Sequence, residues 1–151
     1  MNNDLLILEI KINMFNALYT IYKKQNSIND LELKEIICDV LNWLEICLKN
    51  TKTPNKLELE KISGFRHINN IRKHNSNIYK YTLHSLALYP SNDLYPSDTL
   101  YPSDFNIYWD TFQLDNAKYI NQYNNYKKHF NGVNVYSSIN EIYSIIKKHY
   151  K

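Results

Sequence analysis

Apolar residues recur along the first half of the chain at intervals of three and four. Leu8, Ile12, Phe15, Tyr19 and Tyr22 do so through residues 4–24, the stripe of an amphipathic helix, with Lys11, Asn16 and Lys23 largely off it. Residues 25–29 read as a polar connection. Leu33, Ile37, Val40, Leu44 and Cys47, widened by Leu41 and Leu48, predict a second helix over residues 30–50. Asn29 or Asp30 can cap it, and Glu32 and Glu35 suit the positive end of its dipole. Trp43 adds core or interface area. Residues 49–55 break the pattern, because Pro54 disfavours helix at the residue before it. A third helix is expected from Lys56 to Lys73 or His74. At 100° per residue, Leu57, Phe65, Ile68 and Ile71 share one broad arc, with Arg72 turned back towards it. Arg66, Asn70 and His74, at i, i+4 and i+8, cluster with Lys73 on the opposite arc.

Residues 75–116 read as irregular, and for residues 79–88 periodicity does not separate a short strand from a helical turn. Within this stretch a six-residue unit repeats three times, beginning at Leu88, Leu94 and Leu100, each copy carrying Leu-Tyr-Pro-Ser. Three short copies are too few for a stacked solenoid, and each Pro forbids a helix interior. The reading is a duplicated surface loop, with a partner-binding strap as the other use. Periodicity returns over residues 117–130, a polar helix rich in Tyr and Asn, stopped by Asn131-Gly132. Val133 and Val135 suit a short extended piece. A last helix is expected from Ser138 to about His149, with Ser138 and Glu141 at capping-box spacing and Ile139, Tyr143 and Ile146 as its buried stripe. The prediction is one all-α domain over residues 1–151, with four to five helices and a long irregular loop between the third and fourth.

Composition narrows the function classes. The 151 residues are 44% hydrophobic and 22% charged, enough for a real core, and the net charge of +3 permits a nucleic-acid ligand without arguing for one. Asn, Ile, Lys and Tyr are the residues that AT-rich codons favour, so their abundance carries no functional reading and the 14 Tyr are not read as a stacking surface. Cys38 and Cys47 stand nine residues apart in one helix, roughly 13 Å, too far for a disulfide between them; both are expected to be reduced. Asp4, Glu9 and Lys11 interrupt the apolar run near the start, so no signal peptide is expected. No stretch is expected to span a membrane. The cytoplasm is the default compartment, and no membrane partner is expected.

With 2 Gly there is no phosphate-cradling loop, and no Walker, dinucleotide, zinc or HExxH signature is present. Neither metal nor cofactor is expected. What remains is Gly64-Phe65-Arg66-His67-Ile68-Asn69-Asn70-Ile71-Arg72-Lys73-His74. This segment resembles the motif of the HEPN family, small helical proteins, many of them metal-independent ribonucleases in toxin–antitoxin, abortive-infection and other defence systems. Asn70 and His74 match that motif in spacing, and Asn69 occupies its Arg position. Gly64, Phe65, Arg66, Asn70, Lys73 and His74 also fit a "G-F/L-R-x-x-x-N-x-x-K-H" variant of it, whose members tend to carry a later Trp and a Tyr-rich helix, as Trp109 and Tyr126 do here. Ser76 stands where some members carry a Tyr.

The resemblance implies a HEPN-like bundle and a homodimer, with RNA as ligand or substrate and an antitoxin or other protein as partner. It casts His74 as acid/base, Arg66 as phosphate clamp and Asn70 as orienter, with Lys73, Arg72 and Asn69 as supporting substrate contacts. Metal-free RNA cleavage needs a base for the 2′-hydroxyl and a cation for the phosphorane, roles that His and Arg suit. Two classes stay open: an RNA-cleaving defence protein or toxin, and a non-catalytic protein of similar fold that binds protein or RNA through the same face. The same residues also read simply as the solvated side of a helix. His67, His84, His129 and His149 are assigned no role.

Overall fold

The computed structural model describes residues 3–83, 105–112 and 117–151. The chain is mostly helical: α1 (Asn3–Gln25), α2 (Asp30–Leu48), α3 (Lys56–Arg72), then strands β1 (Tyr79–Thr82) and β2 (Asn106–Trp109). A 3-10 turn (Ala117–Tyr119) leads into α4 (Ile120–His129), and α5 (Val135–His149) closes the order. α1 packs on α2 and α5, whereas α3 packs on α2, α5 and, most extensively, α4.

The apolar stripes of the first two helices go to the core as the periodicity predicts. Leu8, Ile12, Phe15, Tyr19 and Tyr22 of α1 are buried, as are Leu33, Ile37, Val40, Leu41, Leu44, Cys47 and Leu48 of α2, while Trp43 packs partly buried against them. The caps are local. The side chain of Asn29 accepts from the Glu32 N–H at 3.2 Å, and that of Asn55 from the Glu58 N–H at 3.1 Å, each bond stabilising its helix by about 1 kcal/mol.

Several details depart from the sequence reading. Leu57 is half exposed rather than in the core. α4 ends at His129, which meets Glu60, so the first turn of α3 projects beyond its neighbour. α5 begins at Val135, three residues before Ser138, because the Asn134 side chain accepts from the Ser137 N–H at 2.9 Å. Ser138 lies buried inside the helix and donates its hydroxyl to the Asn134 carbonyl. Of the expected extended piece, the Val133 carbonyl accepts from the Trp109 N–H at 3.1 Å, while Val135 is already helical.

The stretch read as irregular contains the two strands. They pair antiparallel, with Tyr79 opposite Trp109 and Thr82 opposite Asn106. The alternation that drives them is plain in β2, where Ile107 and Trp109 turn into the core. Residues 84–104, with nearly all of the Leu-Tyr-Pro-Ser repeat, and His84 with them, lie outside the described residues. Phe105, which ends the last copy, is buried and meets Tyr19 edge-on at 5.4 Å.

α1 is also long and apolar enough, by length and composition alone, to cross a membrane, contrary to the expectation that no stretch would be. One of its faces is nevertheless core, since Leu8, Ile12 and Phe15 are 0–1% exposed.

Two carboxylates at the start of α3 fasten the far elements. Glu58 accepts from Thr53 at 2.7 Å and pairs with His149 at 2.8 Å. Glu60 pairs with His129 at 3.0 Å and Lys128 at 2.9 Å. The His129 and Lys128 contacts pull the Glu60 carboxyl down from 4.5 to about 2, so on acidification the unfolded chain takes up that proton before the folded one does. Its contribution to stability is complete above about pH 4.5 and is lost as the pH falls towards about 2. Thermal melts of Glu60→Gln should accordingly show a flatter acid limb than wild type between those values. Superimposable acid limbs would mean that the Glu60 contacts do not form in solution.

Candidate functional site: the outer arc of α3

Asn55 starts α3 and the turn after Arg72 ends it. Lys73 is its C-cap, and the His74 N–H bonds back to the Ile71 carbonyl at 3.0 Å. His74 therefore sits in the exit turn rather than on the helix. Phe65 and Ile68 are in the core, with Phe65 edge-on to Phe130 at 6.1 Å.

Gly64 is the point where two backbones touch. A Cβ built there would stand 2.8 Å from the Asn125 carbonyl carbon and 2.9 Å from the Tyr126 nitrogen. Glycine is required by this close approach of α4, not by a ligand.

The six residues singled out for chemistry divide into three pairs. Arg66 and His74 are exposed, and neither side chain has a hydrogen-bond or ion-pair partner among the described residues. Asn70 and Lys73 are committed to neighbouring helices: Asn70 donates to Gln122 of α4 at 2.9 Å, and Lys73 pairs with Glu45 of α2 at 3.3 Å. Asn69 and Arg72 face inward. Asn69 is 1% exposed and accepts from Arg72 Nε at 2.6 Å. Arg72 lies near enough to Cys38 to lower its thiol pKa, although burial outweighs this and pushes the thiol up. Burial also raises Cys47, to about 11, so neither cysteine is a ready thiolate nucleophile.

Eight residues separate Arg66 from His74, roughly 12 Å along a helix. Long helical side chains lean towards the N-terminus, so Arg66 reaches away from His74. Within one chain the two do not meet on a single phosphate. Asn70, between them, is occupied by Gln122.

His74 does enter a concavity. A groove of about 270 Å³ is lined by Ile71, His74, Asn75 and Asn77 from the α3 exit and by Asp110, Thr111 and Phe112 after β2. Ile71 and Phe112 are the apolar residues of its lining. The Asp110 carboxylate is held by the Thr111 N–H at 2.7 Å and by Lys80 at 3.3 Å. Neither Arg66 nor Asn70 lines the groove. Among the described residues, no cluster of His, Cys, Asp or Glu could hold a metal ion.

Sequence reasoning passed over His67, Asp110 and Gln122. His67 is buried between α3 and α4, with Phe112, Tyr123 and Tyr126 around its ring at 6.1, 5.4 and 5.3 Å. Its position, three residues after Gly64 and four before Ile71, was the available signal. Asp110 and Gln122 gave none, because only the fold brings them to α3. Tyr126 donates its hydroxyl to the Asp110 carbonyl, which fixes α4 against the end of β2. No family model, curated protein or solved structure matches the chain.

Proposed function

We propose that this is a HEPN-like protein that holds an RNA backbone along the outer arc of α3, as a binder rather than as a self-contained nuclease. The observation that carries this reading is the contrast on the arc. Arg66 and His74 are exposed and, among the described residues, without a side-chain partner, while Asn70 and Lys73 between them are tied into the fold. Two separated contacts suit a strand running past the helix, with Arg66 on one phosphate and His74 near another, and the apolar side chains of Ile71 and Phe112 beside His74 can take a base.

The test is anisotropy of a labelled single-stranded RNA across a salt series. Wild type should bind at low salt. Arg66→Ala should bind several-fold more weakly, with the salt slope reduced by about one, as for loss of one phosphate contact. His74→Ala should likewise bind more weakly than wild type. Absence of RNA binding at low salt would leave the arc as solvated surface and end this reading.

A second reading is favoured by one observation, that His74 shares its groove with the Asp110 carboxylate. On this reading the protein is a metal-independent ribonuclease, in a defence or toxin setting with an antitoxin-like partner, and His74 acts as base. It requires RNA cleavage in EDTA, abolished by His74→Ala. Intact RNA in EDTA, with host growth unaffected by expression, rejects it and leaves the binding reading standing.

A further inference from the structure

The start of α3 is the tip of one end of the bundle. Its first turn projects past the end of α4, where His129 meets Glu60, and other chain ends gather round it. Thr51 and Tyr150 form an isolated antiparallel bridge, and the Lys151 N–H bonds to the Asn50 carbonyl at 3.0 Å. His149 meets Glu58 at 2.8 Å. The turn after α2 and the last turns of α4 and α5 therefore share this end with residues 52–59.

This end is basic. Lys49, Lys52, Lys56, Lys127 and Lys147 are exposed, and no carboxylate pairs with any of them among the described residues. Glu58 and Glu60, which lie among them, are already held by Lys148 and Lys128. The lysines in the last turns of α4 and α5 suit the negative ends of those helices. Lys56 does not: it opens α3 at the positive end of the dipole, where a cation costs helix stability, and Lys52 stands in the loop before it. Apolar side chains stand beside these two. Leu57 and Leu59, on the projecting turn, are 50 and 49% exposed, and Pro54 is exposed as well.

We infer that this end docks on an anionic phospholipid bilayer, with Leu57 and Leu59 entering the headgroup boundary and the surrounding lysines lying against the lipid phosphates. That gives the chain a membrane partner where the sequence reading expected none. Charge brings the end to the surface, and the leucines, whose exposed halves then leave water, hold it there. Neither alone explains the arrangement, because lysines at a solvated end do not call for apolar neighbours on its most projecting turn.

A nucleic acid fits this end less well. It would use the lysines but gives no role to the two leucines. The cations gathered here are lysines, flexible point charges that suit a fluid layer of headgroups, and none is an arginine, whose planar fork grips a fixed phosphate. The surface is also separate from the outer arc of α3: Arg66 follows Lys56 by ten residues, roughly 15 Å along the helix.

Flotation of the full chain with vesicles tests it. Wild type should float with vesicles of equal parts phosphatidylcholine and phosphatidylglycerol, stay behind with pure phosphatidylcholine, and be released as salt is raised. Lys52→Gln combined with Lys56→Gln should lower partitioning roughly 20–30-fold, about fivefold for each lysine. Leu57→Gln combined with Leu59→Gln should lower it several-fold at constant salt. Both pairs change exposed side chains and should melt as wild type does. Arg66→Ala should float as wild type does, which keeps this test apart from that of the RNA reading. No flotation at low salt, equal flotation with the neutral vesicles, or flotation that either pair leaves unchanged overturns the inference. So does RNA binding that is lost in the lysine pair while vesicles stay unbound, which would assign this end to nucleic acid.

Discussion

Replacing Gly64 by alanine, normally a gain inside a helix, is expected to destabilise this protein. Alanine is favoured over glycine by about 1 kcal/mol in a helix interior, yet the added methyl would lie 2.8–2.9 Å from three backbone atoms of Asn125 and Tyr126. Backbone cannot rotate away as a side chain does, so α4 would have to move outward by roughly half an ångström against a close-packed core. Overpacking of this kind costs about 1–3 kcal/mol, so Gly64→Ala should lose about 1–2 kcal/mol net. Gly64→Val, with two more carbons and a strained helical χ1, should lose about 3 kcal/mol or more. For a chain of this length those losses lower the melting temperature by roughly 2–4 °C per kcal/mol. Ser63→Ala, one residue earlier, serves as the control and should change little. A more stable Gly64→Ala would show that α3 and α4 do not meet backbone to backbone. The same shift would carry Gln122 away from Asn70.

The parts of the fold legible in the sequence are those governed by local periodicity. The stripe from Leu8 to Tyr22 and the one from Leu33 to Leu48 are buried as their spacing predicts, because on a single helix angle decides burial. Arg72, placed towards the apolar side by the same arithmetic, is half-buried on Asn69. Two kinds of feature were hidden. Strands four residues long carry too little pattern to separate from turns, so Tyr79 to Thr82 and Asn106 to Trp109 went unassigned. What a polar residue is paired with depends on elements distant in sequence: Asn70 is spent on Gln122, 52 residues away, and Lys73 on Glu45, 28 residues back. A list of polar residues on one arc therefore overstates the site, and only the fold separates Arg66 and His74 from the two that are occupied.

Asn69 is where the sequence pattern and the structure meet most directly, since an arginine there would complete the motif that the segment resembles. Asn69→Arg is expected to destabilise the fold by about 3–5 kcal/mol, the scale for leaving a buried charge without its partner. The site is 1% exposed, and its one acceptor oxygen already serves Arg72 at 2.6 Å. The substitution would set a second guanidinium beside the first and remove the group that satisfies it. Asn69→Asp separates charge from volume: it keeps the size, offers Arg72 a carboxylate, and should retain the wild-type melt at neutral pH. Urea unfolding of the two variants side by side reads both effects. An Asn69→Arg protein as stable as wild type would mean that position 69 reaches solvent. If that variant also cleaved RNA in EDTA where wild type does not, the pair working on RNA would be residues 69 and 74, and Arg66 would lose its place at the site.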